Sequence, residues 1–444
     1  MGTATPAQSS VISAPAAMKP TYVIALSVIV FFPLPSLRAQ KPVGVLDVSI
    51  TGAPADQGQA LKVTGPAGYT RNLTRSEKLT NLADGVYEFT SKPVIKREAS
   101  ISKAYRLTNL SSKIAVKRDT QSVKFVYQQM PGSDKLWLGN QTAPANENLD
   151  IVAYADGDIG ATKTLAPSVR LTSKPTSIRA LAFDEYGNLW TSDADKIKMY
   201  PWNKLGDTNV SPTVTFTHEA TNLAFDEDGN LWFCDGRKAT KIMRIPRERL
   251  YQGGADKADI VLSGPAFDGA KGVAFDGNGN LWAANQGSKN VVKIDKAMLR
   301  KSSASVSDLV AITCESKPPV VTVLSAPRSL AFDKQGNLWV GFFGPNVIAM
   351  IPTSQLNQTT KFKPETQITL SVGVLLEQIA FDEDGSLWTA LSGGSFGRIS
   401  PQQLASGGKI TPEVVVKSEQ LKYGSGLALY PPPQGFPINP QYRE

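Results

Sequence analysis

Histidine is almost absent: the 444-residue chain has one, His218. A zinc or copper site built from several imidazoles is therefore excluded. A Ser-His-Asp or Cys-His system would have to use this one residue. Cysteine is nearly as scarce, and Cys234 and Cys314 do not make a disulfide framework. Cys234 occupies a place where other segments of the chain carry Ser192, Ala284, Gly341 and Ala390, so it reads as a small buried packing residue. No apolar run is long enough to span a bilayer comfortably. Gly-rich phosphate loops, nucleophile elbows and nucleic-acid motifs are also missing, so no specific nucleic-acid partner is expected.

What is present begins with a segment outside the fold. Lys19, the apolar run from Tyr22 to Leu34 and then Ser36-Leu37-Arg38-Ala39 describe a secretory signal over 1–39, with Met18 as the alternative start. No cysteine stands directly after the run, which argues against a lipid anchor. The expectation is a secreted, periplasmic or cell-surface protein with no transmembrane helix after cleavage. Composition is that of a globular protein, with 41% hydrophobic and 19% charged residues. The charge is uneven. Residues 40–130 hold 14 Lys and Arg against 7 Asp and Glu, while 131–444 are near neutral. A basic front domain would attract an anionic envelope polymer.

One phrase recurs five times. Leu181-Ala-Phe-Asp-Glu-Tyr-Gly-Asn-Leu-Trp190 is matched at 223–232, 273–282, 330–339 and 379–388. Trp137 supplies a sixth equivalent position beside Trp190, Trp232, Trp282, Trp339 and Trp388. The spacings are 53, 42, 50, 57 and 49 residues. A period of that size in strand-type units means a propeller. Leu181 and Phe183 alternate with Ala182 and Asp184 in a short strand, Asp184 to Gly187 makes a tight turn, and Leu189-Trp190 starts the return strand. Two further strands complete each unit, the fourth being 213–217, 259–262, 320–324, 367–370 and 413–416 in successive units. The first unit lacks an inner strand, and 426–430 is an inner strand with no unit after it. The C-terminal strand should therefore complete the first blade, opposite 136–140, and close the ring.

The fold class expected is all-β: a six-bladed β-propeller over 135–430, closed by the C-terminal strand and preceded by a small β-sandwich domain at 41–128. Residues 129–134, with Pro131-Gly132, form the linker, and 431–444 the tail. The Phe-Asp-x-x-Gly-Asn-Leu-Trp phrase resembles the repeats of NHL-type propellers and of the related gluconolactonase and streptogramin-lyase propellers. Asp193, Asp235 and Asn285 match the Asp or Asn that follows the second strand in NHL-type repeats, while Phe342 and Leu391 depart from it. In the front domain, Leu79-Thr-Asn-Leu-Ala-Asp-Gly-Val-Tyr-Glu-Phe89 resembles a motif of carboxypeptidase-regulatory-like and Cna-B-like sandwiches. That resemblance implies a non-catalytic spacer or adhesion module.

The candidate chemistry is sparse. Asp226-Glu-Asp-Gly-Asn and Asp382-Glu-Asp-Gly-Ser look like calcium loops, but the repeat keeps only the first Asp and the Gly. That is what a turn demands. His218 and Glu219 precede an inner strand; streptogramin-lyase-like enzymes use a His and a metal-binding carboxylate near the channel, which makes these two the catalytic candidates, against the plainer reading of a solvated loop histidine. The Pro-x-Gly pattern of those enzymes has only echoes here, at Lys174-Pro175 and Ala326-Pro327. The resemblance to gluconolactonases implies a Glu, Asn and Asp around one divalent ion, yet Ala270-Lys271-Gly272 puts a cation where a ligand should stand. Arg179, Asp193, Asp235, Asn285, Arg328 and Glu377 are the ligand-binding candidates, because loops carrying them should converge on one face. Phe342-Phe343 reads either as an exposed aromatic anchor or as blade packing.

The function expected is an exported NHL-like scaffold that binds a protein, glycan or small-molecule ligand, with the sandwich as spacer or envelope-attachment module. No cofactor and a monomer are expected. The alternative is a lactonase or lyase holding Ca or Mg in the channel.

Overall fold

The computed structural model describes residues 43–54, 61–108, 113–141, 151–172, 177–193, 196–236, 240–255, 258–316, 323–343 and 345–437. The expected signal segment lies outside these residues, as does Lys174-Pro175. No helix among the described residues is long and apolar enough to cross a membrane.

Six sheets carry the repeat. Their innermost strands are Gly424–Tyr430, Ile178–Phe183, Ala220–Phe225, Ala270–Phe275, Pro327–Phe332 and Val374–Phe381, in the first to sixth blade. Each inner strand neighbours the next, and that of the sixth neighbours that of the first, so the ring is closed. The closing blade is composite: Leu136 pairs with Leu429, Trp137 with Ala428 and Leu138 with Leu427. The chain is a β-propeller.

The repeated decamer is a hydrogen-bond knot. Asp184 Oδ1 accepts from the backbone N–H of Tyr186 and Asn188, while its Oδ2 accepts from the Trp190 indole at 2.9 Å. The same indole-to-Asp bond recurs at Trp232 and Asp226 (2.8 Å), Trp282 and Asp276 (3.1 Å), Trp339 and Asp333 (2.9 Å) and Trp388 and Asp382 (2.8 Å). The Asn of the phrase faces outward, accepting from the N–H of Trp202, Arg247, Lys296 and Thr353 beyond the third strand in four blades. Gly187 has φ +79°, the left-handed backbone the turn requires. The first blade has no such Asp, and Trp137 donates to the Gly132 carbonyl at 2.8 Å instead.

The apolar members of the phrase join blades. The ring of Trp137 meets that of Phe183, Trp190 meets Phe225, Trp232 meets Phe275, Trp282 meets Phe332 and Trp339 meets Phe381, all edge-on with centroids 6.0–6.3 Å apart. Each pair is a tryptophan of one blade against the inner-strand phenylalanine of the next. Such pairs contribute about 0.5–1.5 kcal/mol beyond the area they bury. Trp388 packs with Leu429 of the first blade, where the repeat has no aromatic ring.

The rim is stitched as well. In the fourth, fifth and sixth blades a parallel fifth strand is added by the following blade: Thr360–Phe362, Gly408–Ile410 and Lys163–Thr164. The second and third receive single bridges, Phe216 with Gly254 and Leu262 with Ser303. In the first, the Thr172 N–H donates to the Thr208 carbonyl at 2.9 Å. Every outer edge is thus covered by the connection between the third and fourth strands of the next blade.

The fourth strand of the fourth blade is Val310–Cys314, not 320–324 as the sequence suggests. Both stretches are apolar and β-branched, and the longer spacing of this repeat hides which one pairs. Cys234 and Cys314 are free and buried in separate clusters.

The front domain is a sandwich of two sheets. Its first strand, Gly44–Thr51, lies antiparallel to Glu77–Leu82 and parallel to Thr120–Gln129. Leu46, Val48, Val63, Tyr87 and Phe125 fill the space between the sheets. The expected linker is a buried joint: Met130 and Ser133 are buried, and the Asp134 N–H is shared between the carbonyls of Ser102 and Tyr430. Pro131-Gly132 reads as a linker, but Gly132 packs so closely on Leu205 that a Cβ would stand 2.7 Å from it.

Candidate functional site

The two ends of the ring differ because the repeat is directional. Five of the six inner strands end in the Phe-Asp turn, the first blade's ends at Tyr430-Pro431, and the sandwich docks on that end. Arg97 donates to Glu383 at 2.7 Å and to the Pro432 carbonyl at 3.0 Å. The Ser102 hydroxyl donates to the same carboxylate at 2.6 Å. Arg106, 9% exposed, donates to the Tyr186 carbonyl at 3.0 Å with its guanidinium over the Trp202 ring at 5.0 Å. Pro432 and Pro433 line the axial cavity together with Phe183, Phe275, Phe332 and Phe381. One end of the channel is therefore occupied by the protein itself.

The other end is where the inner strands begin. Register places one residue of each strand at the same level there: Arg179, Thr221, Lys271, Arg328, Glu377 and Ser425. Arg179 reaches Glu219 at 3.4 Å. Arg328 is ion-paired with Glu377, and its guanidinium lies 4.0 Å from the Phe343 ring centroid. The inner strands of the fourth and fifth blades approach so closely that a Cβ on Gly272 would stand 2.1 Å from the Arg328 carbonyl oxygen. Only glycine fits there, and that approach brings Lys271 beside Arg328. Burial, then Arg328 and Arg179, holds the Lys271 ammonium below its ordinary pKa.

The sequence candidates divide. Arg179, Arg328, Glu377 and Glu219 meet at this mouth. His218 packs on Phe233, with ring centroids 5.2 Å apart. Asp193 instead accepts from the Ser177 N–H at 3.0 Å and pairs with Lys198, tying a loop to its own blade. Asn285 is fully buried, donating to the Ala266 carbonyl and to Asn290. Asp235 ends a second strand opposite Ala220. These three stand at second-strand ends and anchor or edge their own blades instead of lining the ring. Phe342 is core, and Phe343 is half-buried under Arg328. The residue the sequence undervalues is Lys271. Aligning the inner strands on their Ala-Phe would have placed it level with Arg179 and Arg328.

The mouth does not fit a divalent cation. Its two carboxylates, Glu219 and Glu377, already face guanidiniums. Among the described residues no group of three or more His, Cys, Asp and Glu is placed to hold a metal.

Below the mouth lies an axial cavity of about 100 Å³. It starts at Asn222, Ser329 and Gln378, and passes through an apolar collar of Leu181, Leu223, Val273, Leu330, Ile379 and Leu427. Sites for drug-sized ligands run to roughly 300–1,000 Å³. The channel itself admits only a small molecule.

No protein-family model matches the chain, and no curated protein does either. Solved structures resemble it weakly. A virginiamycin B lyase from Staphylococcus aureus shares 20% identity over 52% of this chain and 69% of that one, with a TM-score of 0.34. A protein of unknown function from Bacteroides caccae shares 14% over 66% and 98%, at 0.41. A streptogramin B lyase shares 16% over 75% and 95%, at 0.35. The fold is read from this chain's own strand pairings.

Proposed function

We propose that this chain is an exported, six-bladed, NHL-like scaffold that binds a ligand at the open mouth of its ring without transforming it. The observation that carries this reading is the ring of Arg179, Lys271, Arg328 and Glu377 at the end of the channel opposite the docked sandwich. The lactonase or lyase alternative needs carboxylates free for a Ca or Mg ion, and here they serve arginines. The sandwich is a docked cap, which fits an attachment role better than a flexible spacer. Arg97 and Arg106 are engaged by the propeller, but Lys62, Lys78, Lys92 and Lys117 are exposed and would meet an anionic envelope polymer.

A thermal-shift screen of sugars, lactones, carboxylates and cyclic peptides tests the reading. A compound that raises the melting temperature of the full chain, fails to do so for Arg328→Glu, and is recovered unchanged after long incubation supports it. Consumption of the compound restores the enzymatic alternative. A shift of equal size in Arg328→Glu removes the mouth as the site.

A further inference from the structure

Among the described residues of the ring level, Arg179, Lys271 and Arg328 face Glu219 and Glu377, three cations against two carboxylates. The Nε atoms of Arg179 and Arg328 are buried, with no hydrogen-bond partner among the described residues. A buried N–H without an acceptor costs about 1–3 kcal/mol, so these positions favour an incoming oxygen.

A second observation lies one position deeper on the inner strands. Ala180, Asn222, Gly272, Ser329, Gln378 and Gly426 share that level. Gln378 is engaged by the backbone of Leu181 and Leu427. Asn222 and Ser329 line the top of the cavity at 5% and 1% exposure. The Ser329 hydroxyl has no hydrogen-bond partner among the described residues, but it leans over Gly341 of its own blade's second strand, where a Cβ would stand 2.2 Å from it, so Asn222 is the free polar side chain of this level. Cationic rim, polar shelf and apolar collar thus follow one another down the axis.

We propose that the mouth binds a small carboxylate with a short apolar tail. This rests on the open mouth being the binding site. The carboxylate is held among Lys271, Arg179 and Arg328, with Asn222 as a neutral donor beneath it. The tail enters the collar of Leu181, Leu223, Val273, Leu330, Ile379 and Leu427. Charge selects the head group, since charge-assisted bonds are about twice as strong as neutral ones. The cavity of about 100 Å³ limits the tail to a few carbons. A phosphate would satisfy the rim but leave the collar empty.

Isothermal titration calorimetry on the full chain with acetate, butyrate, butyramide and inorganic phosphate tests this. Butyrate is expected to bind more tightly than acetate, and at least about tenfold more tightly than butyramide or phosphate. Lys271→Met should weaken butyrate about tenfold or more, and Asn222→Ala a few-fold. The asparagine variant keeps the test available if the lysine variant does not fold. Butyramide binding as tightly as butyrate, or both variants binding butyrate undiminished, overturns the proposal. So does an absence of butyrate binding. A neutral ligand that Arg328→Glu abolishes would overturn the carboxylate and leave the mouth in place. A ligand indifferent to every mouth variant would remove both.

Discussion

Gln378 holds the backbone of Leu181 by both its polar groups: its side-chain carbonyl accepts from the Leu181 N–H at 2.9 Å, and its amide donates to the Leu181 carbonyl at 3.2 Å. The same carbonyl accepts from the Leu427 N–H at 2.8 Å. One side chain of the sixth blade thereby fastens the first and second, where the C-terminal strand completes the ring. Gln378→Leu leaves two N–H groups of the inner strands without this acceptor. It should lower stability by about 1–3 kcal/mol for each. Urea denaturation measures this, and an unchanged midpoint would show that the fastening is not needed.

Burial, reinforced by Asp384, pushes the Asp382 carboxyl up to about 7 despite the Trp388 indole and Arg398. A carboxyl raised above its unfolded value of about 3.9 stabilises the fold fully below that value, and the contribution is lost as pH rises through 7. The melting temperature should therefore fall between pH 5 and pH 8. Asp382→Asn retains an oxygen for the indole and should flatten that slope. Burial also raises Asp134, Asp156 and Asp184, so the slope shrinks without vanishing. Equal slopes in the two proteins would count against this assignment.

Arg106 is the most deeply buried cation of the sandwich interface, and burial lowers its pKa. Arg106→Ala removes the bond to Tyr186 and the contact with Trp202, and should loosen the sandwich from the ring. Limited proteolysis should then cut near 129–134 several-fold faster, while the propeller fragment stays intact. An unchanged cutting rate would assign the docking to the other contacts, those of Arg97, Ser102 and the buried joint at 130–134.

Cys234 and Cys314 are both buried, and burial pushes each thiol up to about 12. A thiol reagent should label neither in the native protein and both in denaturant. Reducing agent should leave the melting temperature unchanged. Labelling of the folded chain at either site would contradict the packing described.

Much of this was legible in the sequence. Asp184, Gly187 and Trp190 act within one turn and two strands, so their roles repeat wherever the phrase repeats. Closure was legible for the same reason, since an inner strand without a blade and a blade without an inner strand need each other. The site was less so. Lys271 and Arg328 are 57 residues apart, and their meeting depends on Gly272 admitting a neighbouring backbone. Asp193 and Asn285 carry the same side chains whether they face a ligand or a loop. Arg97 and Glu383, 286 residues apart, share no local pattern at all.

The stitched rim gives damage a direction of travel. Each outer edge is guarded by a segment of the blade that follows it, so loosening one blade uncovers its predecessor and spares its successor. In a variant weakened within the fifth blade, amide exchange should spread to the fourth before it reaches the sixth. The ring would come apart against the order in which it was synthesised, and a protease working on it would advance toward the N-terminal blades.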